Sequence, residues 1–425
     1  MTMVAQKLKN GTRVHLIPME GTQAMTALVL YRVGSRNESL KVWGGSHFIE
    51  HLMFKGTKRR PSSRAITQLI DRYGAQYNAF TGKDRTGYYI KIDKEKADVA
   101  IDVLGDMLTS SLFDAKEMKK ECQVILEEIK MYEENPVMHV EELLEDVMFA
   151  GHTLGRNIAG TPKSMVDMKR ADIIAYRDAY YSPSNTVIVL AGAVPQNAIA
   201  LLEKHFGKAK GGAVPARDTN FIAAKPSKMP RVARQVKPVK QVQIAFGFPT
   251  VGRDHKDQEA IKLLAMILGG SMSSRLFLEV RERHGLCYDI RAMTDVYDEV
   301  GTFVVRAGLD TDRIGLACSV IVKELKKIAS KGITDDELKK AKDHILGAVK
   351  LKMEDSSDRA EFVGMQELMT GSVLSLDDRL KKFTAVKKAD VNRVAKEIID
   401  FTKLSVATVG PFKKDEEILR HIKVG

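Results

Sequence analysis

Cysteine is scarce in this chain, with Cys122, Cys287 and Cys318 the only three in 425 residues. They are odd in number, scattered and not in paired metal spacing. That argues against a disulfide framework and a thiolate zinc site, and for a reducing, cytoplasmic setting. No apolar run approaches the roughly 18 residues that a membrane span needs, and residues 1–10 have no apolar h-region. A soluble protein with no export signal and no membrane partner is expected. The formal charge of +12 is not gathered into a stripe with interleaved aromatics, so nucleic acid is not expected as a partner either. What the chain does have is length and 44% hydrophobic residues, enough for two to four domains with their own cores.

The most informative stretch is Gly44-Gly45-Ser46-His47-Phe48-Ile49-Glu50-His51-Leu52-Met53-Phe54. At about 100° per residue, His47, Glu50 and His51 fall on one stripe of a helix, and Phe48, Ile49, Leu52 and Met53 cover the rest. A helix apolar nearly all round is buried, and a buried carboxylate with two imidazoles needs partners. Histidines at i and i+4 lie about 5–6 Å apart, which suits two ligands on one zinc ion. Glu50 is then placed to reach a water at that ion. The pattern His-x-x-Glu-His is the inverted form of a common zinc signature. A pair of satisfied core histidines with a salt-bridged glutamate is the plainer alternative.

Residues 14–18 and 27–33 read as strands, the second leading through a polar loop to the metal helix. Residues 66–73 form an amphipathic helix. Residues 74–81 and 86–92 look like a hairpin around Gly82-Lys83-Asp84. Its first strand carries Asn78, Ala79 and Phe80 and could offer a sheet edge to an extended peptide through backbone hydrogen bonds. Taken alone, the pattern reads first as an ordinary hairpin.

A helix over 114–134 is expected to hold the third ligand, and two neighbouring glutamates compete. Glu117, Glu121, Val124, Ile125 and Glu128 share one face, while Glu127 lies with Lys120, Gln123, Lys130 and Glu134 on the solvated side, so periodicity favours Glu128. Glu121, two turns earlier, is placed to hydrogen-bond a ligand and fix its orientation, the alternative being a surface carboxylate in an i to i+4 pair. Acidic residues concentrate over 127–146, where a basic peptide could be drawn. His152 reads as structural rather than as a ligand.

Periodicity fails over 208–228, where Gly, Ala, Pro and Lys accumulate, and this reads as a linker. Residues 241–248, 258–268, 301–306 and 313–328 then echo the strand and helix pattern of the first half, which implies an internal duplication of about 200 residues per unit. The second copy has no His-x-x-Glu-His, so only the first is expected to hold metal. Arg281 and Tyr288 read, from composition alone, as a surface cation and a half-buried phenol.

The chain resembles the zinc peptidases of the pitrilysin and insulinase family, in particular the short-chain branch related to mitochondrial processing peptidase. The likeness rests on His47, Glu50 and His51, on Glu128 within Val124-Ile125-Leu126-Glu127-Glu128-Ile129, and on Glu121. Asn78-Ala79-Phe80-Thr81, Leu154-Gly155-Arg156, Tyr181-Ser182-Pro183-Ser184-Asn185 and the segment 268–277 add to it. The resemblance implies Zn²⁺ held by His47, His51 and Glu128, Glu50 as general base, and Arg281 and Tyr288 binding substrate and supporting the tetrahedral intermediate. It implies an α+β fold of two duplicated α/β domains, each an antiparallel-rich sheet covered by helices, together half of a clamshell closing over a chamber. The expected division is a zinc-binding domain 1–207, a linker 208–228 and a metal-free domain 229–425. A homodimer follows, in which Arg281 and Tyr288 of one chain complete the zinc site of the other. The expected activity is hydrolysis of short or unfolded peptides. The alternative is a non-catalytic or partner-dependent subunit of a processing-peptidase-like complex.

Overall fold

The computed structural model describes residues 3–217, 219–221 and 225–422. Of the expected linker, residues 218 and 222–224 lie outside the described residues, and its remainder holds neither helix nor strand. Among the described residues, eleven strands form two sheets. The first contains β1 (Val4–Lys7), β2 (Arg13–Pro18), β3 (Ala24–Tyr31), β4 (Gln76–Thr81), β5 (Thr86–Asp93) and β6 (Thr186–Gly192), in the order β1-β2-β6-β3-β5-β4. The second contains β7 (Arg231–Val236), β8 (Gln241–Val251), β9 (Cys287–Val296), β10 (Val300–Asp310) and β11 (Ser405–Gly410), in the order β7-β11-β8-β10-β9. The helices that matter below are α1 (Gly45–Met53), α2 (Ala97–Ser110), α3 (Ala115–Glu134), α4 (Pro136–Met148), α5 (Gln258–Gly269), α6 (Ile314–Lys331), α7 (Asp335–Lys352) and α8 (Ser356–Thr370). None of the described helices is long and apolar enough to cross a membrane.

The duplication is visible strand by strand. Leave out β1, and the first order, β2-β6-β3-β5-β4, maps onto the second, β7-β11-β8-β10-β9. In each sheet one pair is parallel, β2 with β6 and β7 with β11, and the others are antiparallel. β3 and β6 are apolar along almost their whole length and buried on both faces, which is why their sequences show little alternation.

The chain forms two compact units that are interleaved in sequence. One comprises Met1–Ile129, Asn157–Asp218 and Ala348–Leu376, and the other Lys130–Arg156, Thr219–Gly347 and Asp377–Gly425. They differ from domains 1–207 and 229–425 by a reciprocal exchange of helices. In the first unit α2 covers one face of the sheet, packing Ile101, Leu104 and Leu108 into a core with Met25, Ile90 and Ile92. The other face is covered by α8, from late in the chain, whose Ala360 and Val363 meet Leu28, Leu30, Val187 and Val189. At Gly364 the two approach closely, since a Cβ there would lie 2.7 Å from Leu30 Cδ1. Polar ties flank it: Glu367 accepts from Arg13 Nη1 at 3.2 Å and pairs with His15 Nε2 at 3.1 Å, and the Thr26 and Ser356 hydroxyls meet at 2.8 Å.

In the second unit α5 and α6 build one core with β8 and β10, including Leu264, Leu268, Ile321, Leu325, Phe246, Phe303 and Val305. The opposite face is covered by α4, from early in the chain, through Val140, Leu144 and Met148 against Ala245, Val304, Ala407 and Val409.

Candidate metal centre

The metal helix starts abruptly because its first backbone donors are bound by a side chain. Glu38 Oε2 accepts from Gly44 N and Glu38 Oε1 from Ser46 N, both at 2.7 Å, a carboxylate set at the positive end of α1. Gly44 has φ +93°, and a Cβ there would strike the Ala159 carbonyl at 2.6 Å, so glycine is required. Phe48, Ile49, Leu52 and Met53 are buried, which leaves His47, Glu50 and His51 as the partly open stripe.

α3 brings Glu128 to that stripe. His47 Nε2 and His51 Nε2 face each other at 3.2 Å, and the Glu128 oxygens lie 3.7 Å from the first and 3.5 Å from the second. One ligand atom from each residue lies within 4.8 Å of the others. Burial, with His51 close by, lowers His47 to about 3, so its imidazole is neutral at ordinary pH. Burial raises the Glu128 carboxyl. Two imidazole nitrogens and a carboxylate converging on one point fit a divalent cation, and a nitrogen-rich set of three suits zinc.

Glu121 stands behind His51. Its Oε2 meets His51 Nδ1 at 3.1 Å and its Oε1 accepts from Lys55 Nζ at 2.7 Å. Burial pushes this carboxyl up, but the hydrogen bonds from His51 and Lys55 more than reverse that and leave it below the ordinary range. As an acceptor it directs the Nδ1–H and turns the Nε2 lone pair toward the centre. The face expected on α3 is narrower than its periodicity suggests: Glu121, Ile125 and Ile129 are buried, whereas Val124 is 49% exposed. Glu127 is exposed.

Glu50 accepts a hydrogen bond from Thr81 Oγ1 at 2.6 Å. Burial raises its carboxyl, partly offset by that bond. Thr81 closes β4, which pairs with β5 alone and is therefore a sheet edge. Asn78 is exposed on it, and Ala79 and Phe80 are half-buried on opposite faces. Ala79 lies on the α1 side with Tyr77, and Phe80 packs into the core beneath α8.

Arg281 and Tyr288 lie together in the second unit. The Arg281 guanidinium sits 4.9 Å from the Tyr288 ring centre and 4.7 Å from that of Phe277. Tyr288 is 75% exposed on β9, not half-buried, because this edge strand turns it away from the core. His152 has a local structural task, its Nδ1 accepting from Leu154 N at 3.2 Å. Sequence reasoning assigned no role to Lys55 or Thr81. Lys55 could have been found as His51 plus four, one helical turn on. Thr81 is 31 positions from Glu50 and carries no local signal.

Residues 13–162, which contain His47, Glu50, His51 and Glu128, match the model described as insulinase, peptidase family M16, and residues 167–345 match the M16 inactive domain. A Bacillus subtilis protein named as an uncharacterized zinc protease is 34% identical over 92% of this chain and 94% of its own length. A Streptomyces coelicolor protein named likewise is 32% identical over 97% of this chain and 91% of its own. Among solved structures, a Helicobacter pylori protease superposes with a TM-score of 0.89 at 27% identity, covering 96% of this chain and 99% of that one. A Pseudomonas fluorescens M16 inactive-domain structure shares the fold with a TM-score of 0.86 at 19% identity, covering 97% and 98%. A two-unit α+β fold, a His-x-x-Glu-His helix and curated relatives matched over nearly their full length place this chain in the M16, or insulinase, family of peptidases.

Proposed function

We propose that this chain is a zinc metallopeptidase that hydrolyses peptide bonds within short or unfolded peptides. The observation that carries this reading is the convergence of His47, His51 and Glu128, with Glu50 one position before His51 on the same helix. A zinc ion held there would polarise a peptide carbonyl and lower the pKa of a water to about 7. Glu50 takes the proton of the attacking water and passes it to the leaving amine, and burial raises its carboxyl above the ordinary value. Glu121, held by Lys55, keeps the His51 ring turned. The peptide lies extended along β4 beside Asn78, Ala79 and Phe80, bound through its backbone and therefore with little dependence on sequence.

We further propose a homodimer in which Arg281 and Tyr288 of one copy serve the zinc site of the other, with the Tyr288 hydroxyl supporting the oxyanion. The exposure of Tyr288 and its pairing with Arg281 support this. The peptidase reading is tested with a quenched fluorescent peptide mixture, zinc content and Glu50→Gln. The parent is expected to bind about one zinc per chain and cleave, and the variant to keep metal and lose cleavage. If both bind zinc and neither cleaves, the site is structural or awaits another chain.

A further inference from the structure

Glu50 is held by one hydrogen bond from a distant element. Among the described residues, Thr81 is the side chain that hydrogen-bonds it, through a short contact of 2.6 Å between a hydroxyl donor and a carboxylate oxygen. Side chains alternate along β4, so Tyr77, Ala79 and Thr81 share the face toward α1, as the Tyr77 and Phe54 rings, 6.3 Å apart, confirm.

The hydroxyl has a firm base. Thr81 stands opposite Thr86 in the β4/β5 register, and Gly82 N closes the turn on Arg85 O at 2.8 Å. Thr86 Oγ1 donates to Val33 O at 2.8 Å, and Ser35 N and Arg36 N donate to Gly82 O and Lys83 O at 3.2 and 2.9 Å. The loop leading toward α1 and the turn ending β4 are thus tied to each other.

A glutamate has three rotatable side-chain bonds, and a base must be held close to its productive position. With Oε2 accepting from Thr81, Oε1 has no side-chain hydrogen bond among the described residues and is the more available oxygen for a proton. The strand that supplies Thr81 is also the edge that would receive an extended peptide, two residues beyond Ala79.

We propose that Thr81 is a positioning residue for proton transfer: its hydroxyl fixes Glu50 in register with the strand that receives the peptide and leaves one carboxylate oxygen for the reacting water. This rests on the peptidase reading above.

The test compares Thr81→Val, which keeps shape and β-branching but has no donor, with Thr81→Ser, which keeps the donor. Thermal unfolding identifies variants that are folded, and Thr81→Ala serves if the valine variant is not. The donor-less variant is expected to lose about 10- to 100-fold in kcat, with KM within about twofold. Its zinc affinity, measured by chelator competition, should be unchanged. Thr81→Ser should recover to within about threefold of the parent. In crystals of the zinc-loaded proteins, Glu50 should keep its rotamer in the parent and in Thr81→Ser and turn in Thr81→Val. Parental kcat in the donor-less variant, equal losses in valine and serine variants, or a loss that follows zinc affinity or KM would each overturn the proposal. Failure of the peptidase reading looks different: the parent itself would not cleave, or Glu50→Gln would.

Discussion

Lys55 does not reach the metal centre, yet the salt bridge to Glu121 ties its charge to the orientation of His51. Removing either member of that chain frees the imidazole to turn. Lys55→Met and Glu121→Gln are each expected to weaken zinc binding by about 10- to 100-fold. Competition with a chromogenic chelator measures this, and parental affinity in both variants would show that α1 packing alone sets the ring. The cluster itself was legible in the sequence, since His47, Glu50 and His51 are separated by helical spacing and Glu128 differs from Glu127 in face. Its supports were less so. Glu121 could be placed by periodicity on α3, but whether its carboxylate met His51 or solvent depended on how α3 packs against α1, which no local pattern encodes.

At the scale of the element, α5 occupies in the second unit the place in chain order that α1 occupies in the first, following β8 as α1 follows β3. It carries no ligand set, and Lys262 is half-buried on it instead. Burial lowers this amine from its ordinary 10.5 to about 8, with Arg379 adding to the effect and Glu259 opposing it. The sign follows from proton counting. Between pH 8 and about 10.5 the unfolded chain binds more protons than the folded one, so the cost is full below 8 and disappears as pH rises through the unfolded value. Lys262→Met is expected to stabilise the protein by about 3 kcal/mol at pH 7, with the gain shrinking to nothing near pH 10.5. Denaturant titrations of both proteins at pH 7, 9 and 10.5 check it, and a constant or reversed difference would refute the assignment.

Strands were readable where β-rich runs end at turn residues, as at Gly82-Lys83-Asp84. The destinations of α4 and α8 were not. An amphipathic helix states which of its faces is apolar but not which sheet will cover it, so residues 136–148 and 356–370 gave no sign of their exchange.

At the scale of the whole molecule, the proposed sharing of sites between copies makes a quantitative demand on mixtures. On that proposal His51→Ala would disable the metal centre and Tyr288→Phe the contributed phenol, and each homodimer should be inactive. A mixed dimer retains one intact combination. Reassembling equal amounts should therefore restore about one quarter of parental activity if pairing is random, with mass measurement verifying the mixed species. Verified mixed dimers without activity would rule out shared sites.

The exchange of α4 and α8 also bears on how the chain is made. A ribosome releases β1 to β6 long before residues 356–370, so the apolar sheet face of Leu28, Leu30, Val187 and Val189 emerges without its cover. At about 5–20 residues per second, that surface stays bare for on the order of ten seconds. The first half cannot complete itself during synthesis and depends on the last quarter of the message to become aggregation-resistant. Ribosome stalling after the linker would release a sticky nascent chain, and chaperones that bind exposed strands would find their target there.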